Sequence, residues 1–258
     1  MLSMANSKGT GDGMERSITR GELEAALVRS CAPVLLGVKP ANLFTFCGCF
    51  GCGGADGDTS SCPSPVAPSD DARCARRRDA LSRLVRDLDA TLTPYGMRCR
   101  VIAWRSFGAL VLAYRPTLVE RCLKDAEVAR ELSCLGYPAR LGPVSVASSR
   151  PCGPQGPARA GDALDGCVEH LARRFGERGV PHEVGYFLGY PAADVRGFVE
   201  NEGRDYLCCG CWKVYADVRG AMRRFARYKR CTRRVLHLYG TGVPLTELAR
   251  DPACAQVA

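Results

Sequence analysis

The chain has 258 residues, 46% of them hydrophobic, and a formal net charge of +9 at pH 7. That apolar share excludes a wholly disordered chain, and with the polar segments set aside it leaves one core of roughly 180 residues. The longest apolar stretch, Phe107 to Tyr114, is far short of the about 20 residues a spanning helix needs, and the N-terminus has no signal-like apolar core, so the chain reads as cytosolic with no membrane partner.

Residues 1–16 are polar and glycine-rich and read as a disordered tail. Thr19 and Glu22 have capping-box spacing, and Leu23, Ala26 and Leu27 repeat at helical spacing up to the limit set by Pro33. In VLLGVKPANLFTF, Pro40 suits the first turn of a second short helix. Residues 51–72 are dominated by Gly, Ser, Pro and Asp and read as a flexible insertion. A helix follows with the stripe Leu81, Leu84, Val85, Leu88. MRCRVIAW and RSFGALVLAYRP then suggest an antiparallel hairpin.

One helix is expected from Thr117 through LSCLGYP, and residues 139–162 read as a second insertion. DALDGCVEHLARRF is amphipathic, with Leu164, Cys167, Val168 and Leu171 on one side. The fragment LGYP occurs at 135–138 and 188–191 and reads as two helix stops, each with a left-handed glycine. CCGCWKVYAD reads as a strand, with Trp212 and Val214 on one face. Asp217 caps the next helix, whose buried side is Val218, Met222, Phe225 and Tyr228; Thr232 starts another, and PLTELAR is the last. The sum is an α+β domain over residues 17–250, with a tail at 251–258. A small antiparallel sheet from roughly 97–104, 107–114 and 207–215 is packed by several helices.

Three kinds of residue carry chemistry. His182 is one of three histidines and is followed by Glu183, but Tyr186 stands where a zinc-protease HExxH would need its second histidine. Glu183 then reads as a helix-start residue, with His182 as a general base or ligand in the competing reading. Cys47, Cys49 and Cys52, and Cys208, Cys209 and Cys211, offer soft ligands without two clean CxxC pairs, so a metal or redox role is an alternative. Cys208 and Cys209 would point to opposite faces of a strand. Arg219, Arg223, Arg224, Arg227, Lys229, Arg230, Arg233 and Arg234 face only Asp217. They make a solvated helix face or, in the alternative reading, a nucleic-acid or partner surface on residues 217–234. The arginine excess itself, thirty-one against five lysines, fits a GC-rich coding bias. No nucleophile elbow, dinucleotide fingerprint or P-loop is present.

The runs PHEVGYFLGYPAADVRGFVENEG and CWKVYADVRGAMRRFARYKRCT, with CAPVLLGVKPANLFTF and LVLAYRPTLVE, resemble an uncharacterised bacterial family, domain of unknown function 3793. The resemblance covers most of residues 20–250 outside the two insertions. It implies a cytosolic protein found mostly in anaerobic bacteria, and no activity, substrate or cofactor. Matching positions are Lys39, Pro40, Asn42, Tyr114, Arg115, His182, Glu183, Gly189, Asp194, Gly197, Asn201, Lys213, Tyr215 and Cys231. Cys211 stands where the pattern usually has an aromatic, and the region Cys47 to Cys62 is richer in cysteine than the pattern. Metal ligands there would belong to this chain rather than to the fold.

Polar residues inside apolar motifs point to a pocket. Lys39, Asn42, Arg115 and Lys213 are expected to converge as ligand-binding groups, with His182 and Glu183 for proton transfer. The expected function is a small-molecule or anion-binding protein, with catalysis left open and the cofactor unknown.

Overall fold

Thr19 and Glu22 close a capping box as the spacing predicts: each side chain accepts from the other's backbone amide. The computed structural model describes residues 17–50, 68–105, 107–138, 160–177 and 179–250. The two tails, Cys52 and residues 51–67 and 139–159 of the expected insertions lie outside the described residues. The elements run α1 (Arg20–Leu35), β1 (Ala41–Cys47), α2 (Pro68–Leu92), β2 (Arg98–Arg105), β3 (Gly108–Tyr114), α3 (Pro116–Leu123), α4 (Ala126–Cys134) and α5 (Ala160–Glu177). They continue with α6 (Val184–Phe187), α7 (Ala192–Glu200), β4 (Cys208–Cys209), β5 (Lys213–Val214), α8 (Val218–Gly240) and α9 (Leu245–Arg250).

The apolar run that ends at Tyr114 is the central strand of a three-stranded antiparallel sheet, ordered β1-β3-β2. Every residue of β3 is buried because both faces are covered. Ala109, Val111 and Ala113 pack into a cluster with Leu23 and Leu27 of α1, Leu81 and Leu88 of α2, Val235 of α8 and Leu248 of α9. Leu110, Leu112 and Tyr114 face the other way, against Val119 of α3, Leu132 of α4, Leu171 of α5, Phe187 of α6 and Val195 of α7. The fold is α+β, with the small sheet held between two helical layers.

Several expectations are corrected. The third strand of the sheet is not 207–215 but ANLFTFC, read from sequence as a short helix after Pro40. Its register with β3 runs from Ala41 opposite Tyr114 to Cys47 opposite Gly108, so a long-range pairing overrides the local signal. Residues 207–215 instead fold on themselves, β4 on β5, and lay Trp212 and Val214 on Ala221, Phe225 and Tyr228 of α8. The helix expected from Thr117 is two helices, because the Asp125 carboxylate accepts from the amides of Glu127 and Val128 and starts a new one. Thr232 starts nothing: its hydroxyl donates to the Tyr228 carbonyl inside one continuous α8. Met222 of that helix is exposed rather than buried. Helix α2 begins at Pro68, within the stretch read as insertion. Asp217 does cap α8, accepting from Gly220, and Gly136 and Gly189 of the two LGYP stops are left-handed.

Arg115, expected in a ligand site, holds this frame together. Its Nε donates to the Val34 carbonyl at 2.7 Å, Nη1 to Tyr95 at 3.0 Å and Nη2 to Ala249 at 3.0 Å, with a further bond from Nη2 to Leu35. Val34 and Leu35 end α1, Tyr95 ends the turn after α2, and Ala249 lies in α9. Helix ends leave carbonyls without intrahelical partners, and the guanidinium fork fills that need for several elements at once. Burial lowers its pKa, but an arginine stays charged over the whole range in which proteins fold. We expect Arg115→Met to cost about 3 kcal/mol in urea unfolding, as charge-assisted bonds to four partly buried carbonyls are lost. Arg115→Lys should recover less than half, since a point ammonium cannot span all four acceptors.

Candidate functional site

Pro33 gives α1 a break that builds the best candidate site. Proline lacks the amide of a continuous helix, and Cys31 leaves helical geometry at φ −117° and ψ 17°. Beside the break, the Ser30 carbonyl accepts from Asn42 Nδ2 at 2.8 Å, and the Pro33 carbonyl accepts from the amides of Val38 and Lys39. Asn42 Oδ1 in turn accepts from Lys39 Nζ at 2.5 Å. Lys39 is therefore fixed at both its backbone and its amine, with only 5% of its surface exposed.

The amine faces a cavity of about 720 Å³ lined by Ser30, Pro33, Lys39, Asn42, Tyr190, Cys211, Tyr228, Lys229, Thr232 and Arg233. Lys39 Nζ lies 5.4 Å from the ring centre of Tyr190 and 5.8 Å from that of Tyr228. Tyr190 is held from behind by stacking on Trp212, at 4.9 Å between ring centres. Gly189 lets this wall approach: a Cβ there would lie 2.4 Å from Pro40 Cγ, the residue after Lys39. Among the described residues no carboxylate lines the cavity.

The thiols and phenols around the amine are kept neutral. Burial pushes the Cys31 thiol and the phenols of Tyr190 and Tyr228 up to about 12, and it raises Cys211 as well against the pull of Lys39 and Lys229. Lys39 itself is lowered to about 8, chiefly by burial. The pocket therefore presents a buried cation at pH 7, with Lys229 and Arg233 beside it and no counter-ion among the described residues that line it.

Of the six residues expected to converge, only Lys39 and Asn42 line this cavity. Arg115 is committed to helix ends, as described above. Lys213 Nζ donates to the Gly203 carbonyl at 2.6 Å and lies over the rings of Phe198 and Tyr206. His182 is exposed and packs on Phe198, with 5.0 Å between ring centres. Both line a second groove of about 360 Å³, which shares Tyr190 and Cys211 with the first. Glu183 turns away from His182 and is 6% exposed; it accepts from Arg174 Nε at 2.8 Å and the Tyr137 hydroxyl at 3.2 Å. It ties α5 and the segment after α4 to the start of α6, and both of these bonds go to residues other than His182.

Among the described residues no group of three or more His, Cys, Asp or Glu is placed to hold a metal. Cys47, Cys49, Cys209 and Cys211 are exposed, Cys208 is half-buried, and Cys49 Sγ lies 4.0 Å from that of Cys74. Arg219, Arg223, Arg230 and Arg234 are exposed on one face of α8, with Arg227 half-buried between them. Tyr190 and Tyr228 were missed as site residues: the first reads as part of a helix stop, the second as core. Asp194, 3% exposed, matched the family pattern without a role; it accepts from Trp212 Nε1 at 2.8 Å, the Tyr215 amide at 2.8 Å and the Ala216 amide at 3.1 Å.

A family model described as "Protein of unknown function (DUF3793)" matches residues 27–147 and 155–249. No curated protein and no solved structure matches the chain.

Asp194 sets the ribbon that backs Tyr190, because three donors converge on its two oxygens. Asp194→Asn puts an amide donor among them, and we expect a loss of about 2 kcal/mol in unfolding free energy. Trp212 fluorescence should shift red as the ribbon loosens; an unchanged spectrum and melting temperature would show that the carboxylate is dispensable.

Proposed function

The chain belongs to the DUF3793 family, whose description carries no activity, and we propose from the pocket's chemistry that the protein binds a small anionic molecule over Lys39. The observation that supports this most directly is the buried amine in a roomy cavity with no acid facing it among the described residues. A buried charge with a neutral acceptor and ring faces but no opposite charge beside it costs free energy, and an anionic ligand would offset that cost. Asn42 aims the amine, the rings of Tyr190 and Tyr228 form flat walls, and Lys229 and Arg233 attract anions to the opening. Thr232 and Ser30 add polar groups for orientation.

The pH dependence follows from the lowered pKa. Below about 8, Lys39 is charged in both the folded and the unfolded chain, and its burial cost is fully present. Between about 8 and the ordinary lysine value the unfolded chain binds more protons, so stability rises with pH across that window. Anion binding runs the other way and fades as the folded amine loses its proton. Phosphate, sulfate, lactate and citrate, each titrated at pH 7 by thermal shift and calorimetry, test the reading. At 100 times its Kd a true ligand raises Tm by about 5 °C or more. We expect this for at least one of the four, with loss in Lys39→Met and weakening above pH 8. A set of flat titrations, or a shift that survives Lys39→Met, is the contrary result.

A second reading rests on α8. Arg219, Arg223, Arg230 and Arg234 recur every three to four residues or whole multiples of that, so they form one exposed stripe roughly 22 Å long. None of these four side chains has an acidic partner among the described residues. Such a stripe matches the phosphates of a single-stranded nucleic acid. Binding of a mixed-sequence oligonucleotide should then fall with salt, with a log–log slope of about −3. Charge reversal of the four arginines should abolish it, and silence at low salt in the unaltered protein removes this reading.

A further inference from the structure

We propose that Lys39 is a nucleophile that forms an imine with an aldehyde or ketone carrying an anionic group, such as a small 2-oxo acid. This rests on the anion-binding reading of the same pocket and names the ligand's second group. Four features of the geometry point to it. Lys39 Nζ is enclosed, and its hydrogen bond to Asn42 Oδ1 uses one N–H and leaves the nitrogen lone pair of the neutral amine uncommitted. Asn42 is itself fixed by its bond to the Ser30 carbonyl, so the amine has a set position rather than the sweep of a surface lysine. The cavity of about 720 Å³ has room for a small carbonyl compound beside that nitrogen. Lys229 and Arg233 line the same cavity and can hold a carboxylate or phosphate away from the amine.

The chemistry balances without a further reagent. The neutral amine attacks the carbonyl carbon, a C–N bond forms, and the carbonyl π electrons move to oxygen. A proton passes from nitrogen to that oxygen to give a carbinolamine. The C–O bond then breaks, the hydroxyl leaves with a second proton as water, and the C=N bond closes. Amine and carbonyl become imine and water, with nothing oxidised or reduced. Desolvation supports the first step: with a pKa of about 8, about a tenth of Lys39 is neutral at pH 7, against roughly one part in a few thousand for an ordinary lysine. Among the described residues the groups facing it are Cys31 of α1, Asn42 of β1, Tyr190, Cys211, and Tyr228, Lys229 and Arg233 of α8, and none is an anion that would hold the amine protonated.

The five lysines of the chain make the test selective. The full-length protein is treated at pH 7.5 with pyruvate, phenylpyruvate or pyridoxal 5′-phosphate and sodium cyanoborohydride, and the adducts are mapped by mass spectrometry. With at least one probe, Lys39 should be labelled about tenfold more than the exposed Lys124. Lactate or inorganic phosphate, which have no aldehyde or ketone, should slow that labelling. Asn42→Ala should slow it too while keeping a native circular-dichroism spectrum and a cooperative melt, which separates the positioning effect from general unfolding. No excess at Lys39 with any of the three probes overturns the imine. If phosphate or lactate still stabilises the protein in a Lys39-dependent way, the anion reading stands and only the nucleophile falls. If neither labelling nor stabilisation depends on Lys39, both fall.

Discussion

The Arg115 guanidinium carries the architecture, because one side chain answers carbonyls from three separate elements. Val34 and Leu35 at the end of α1, Tyr95 after α2 and Ala249 in α9 all accept from it. Its own backbone amide donates to the Pro40 carbonyl, so the same residue fixes the turn between α1 and β1 from both ends. That turn carries Lys39. The position of the candidate site is thus a consequence of how helix-end carbonyls are satisfied, and the pocket inherits the rigidity of the clamp.

Arg115 and Lys39 are both largely removed from solvent, yet they stand in opposite electrostatic situations. Every donor direction of the arginine that matters meets an oxygen, so its charge is compensated by dipoles and stays. The lysine has one carbonyl oxygen at Asn42 and two ring faces, which support a charge less well than water does. Lys213 shows the third outcome: it also touches two rings and a carbonyl, but only partly buried, and it braces the loop before β4. Three cations of similar sequence context therefore divide into clamp, strained amine and brace. Burial and the number of oxygens within reach decide the division.

The parts of the fold legible in sequence were those set by short-range chemistry. The Thr19 capping box, the hairpin of β2 and β3, the left-handed glycines of LGYP and the Asp217 cap each depend on residues within a few positions. The first strand was not legible, since ANLFTFC becomes a strand only by pairing with β3, about seventy positions away. The site failed in the same manner. Lys39 and Asn42 were readable as polar residues in an apolar motif, but Tyr190, Cys211 and Tyr228 come from three later segments. Each has a sufficient local explanation as a helix stop, a thiol or a core residue. Arg115 and Glu183 show the converse error. Polar residues within apolar runs mark buried hydrogen-bond needs generally, and helix-end carbonyls and the Arg174–Glu183 pair are needs of that kind.

Helix α8 shows how one element serves core, pocket and surface without conflict. The 3.6-residue period places Phe225 and Tyr228 toward Trp212, turns Lys229, Thr232 and Arg233 to the cavity edge, and leaves Arg219, Arg223, Arg230 and Arg234 outside. Its positive field therefore extends from the solvent to the mouth of the pocket. Exposed arginines act over about a Debye length and lose their reach as salt rises, whereas a contact to the enclosed Lys39 is screened little. If the stripe serves to gather anions for the pocket, salt should slow their arrival far more than it hastens their departure. If the stripe has a polyanion of its own, affinity at the pocket and affinity at the stripe are separate quantities, and Lys39 matters to only one of them. The same helix thus holds two charge sets that differ in burial, and burial alone makes them distinguishable.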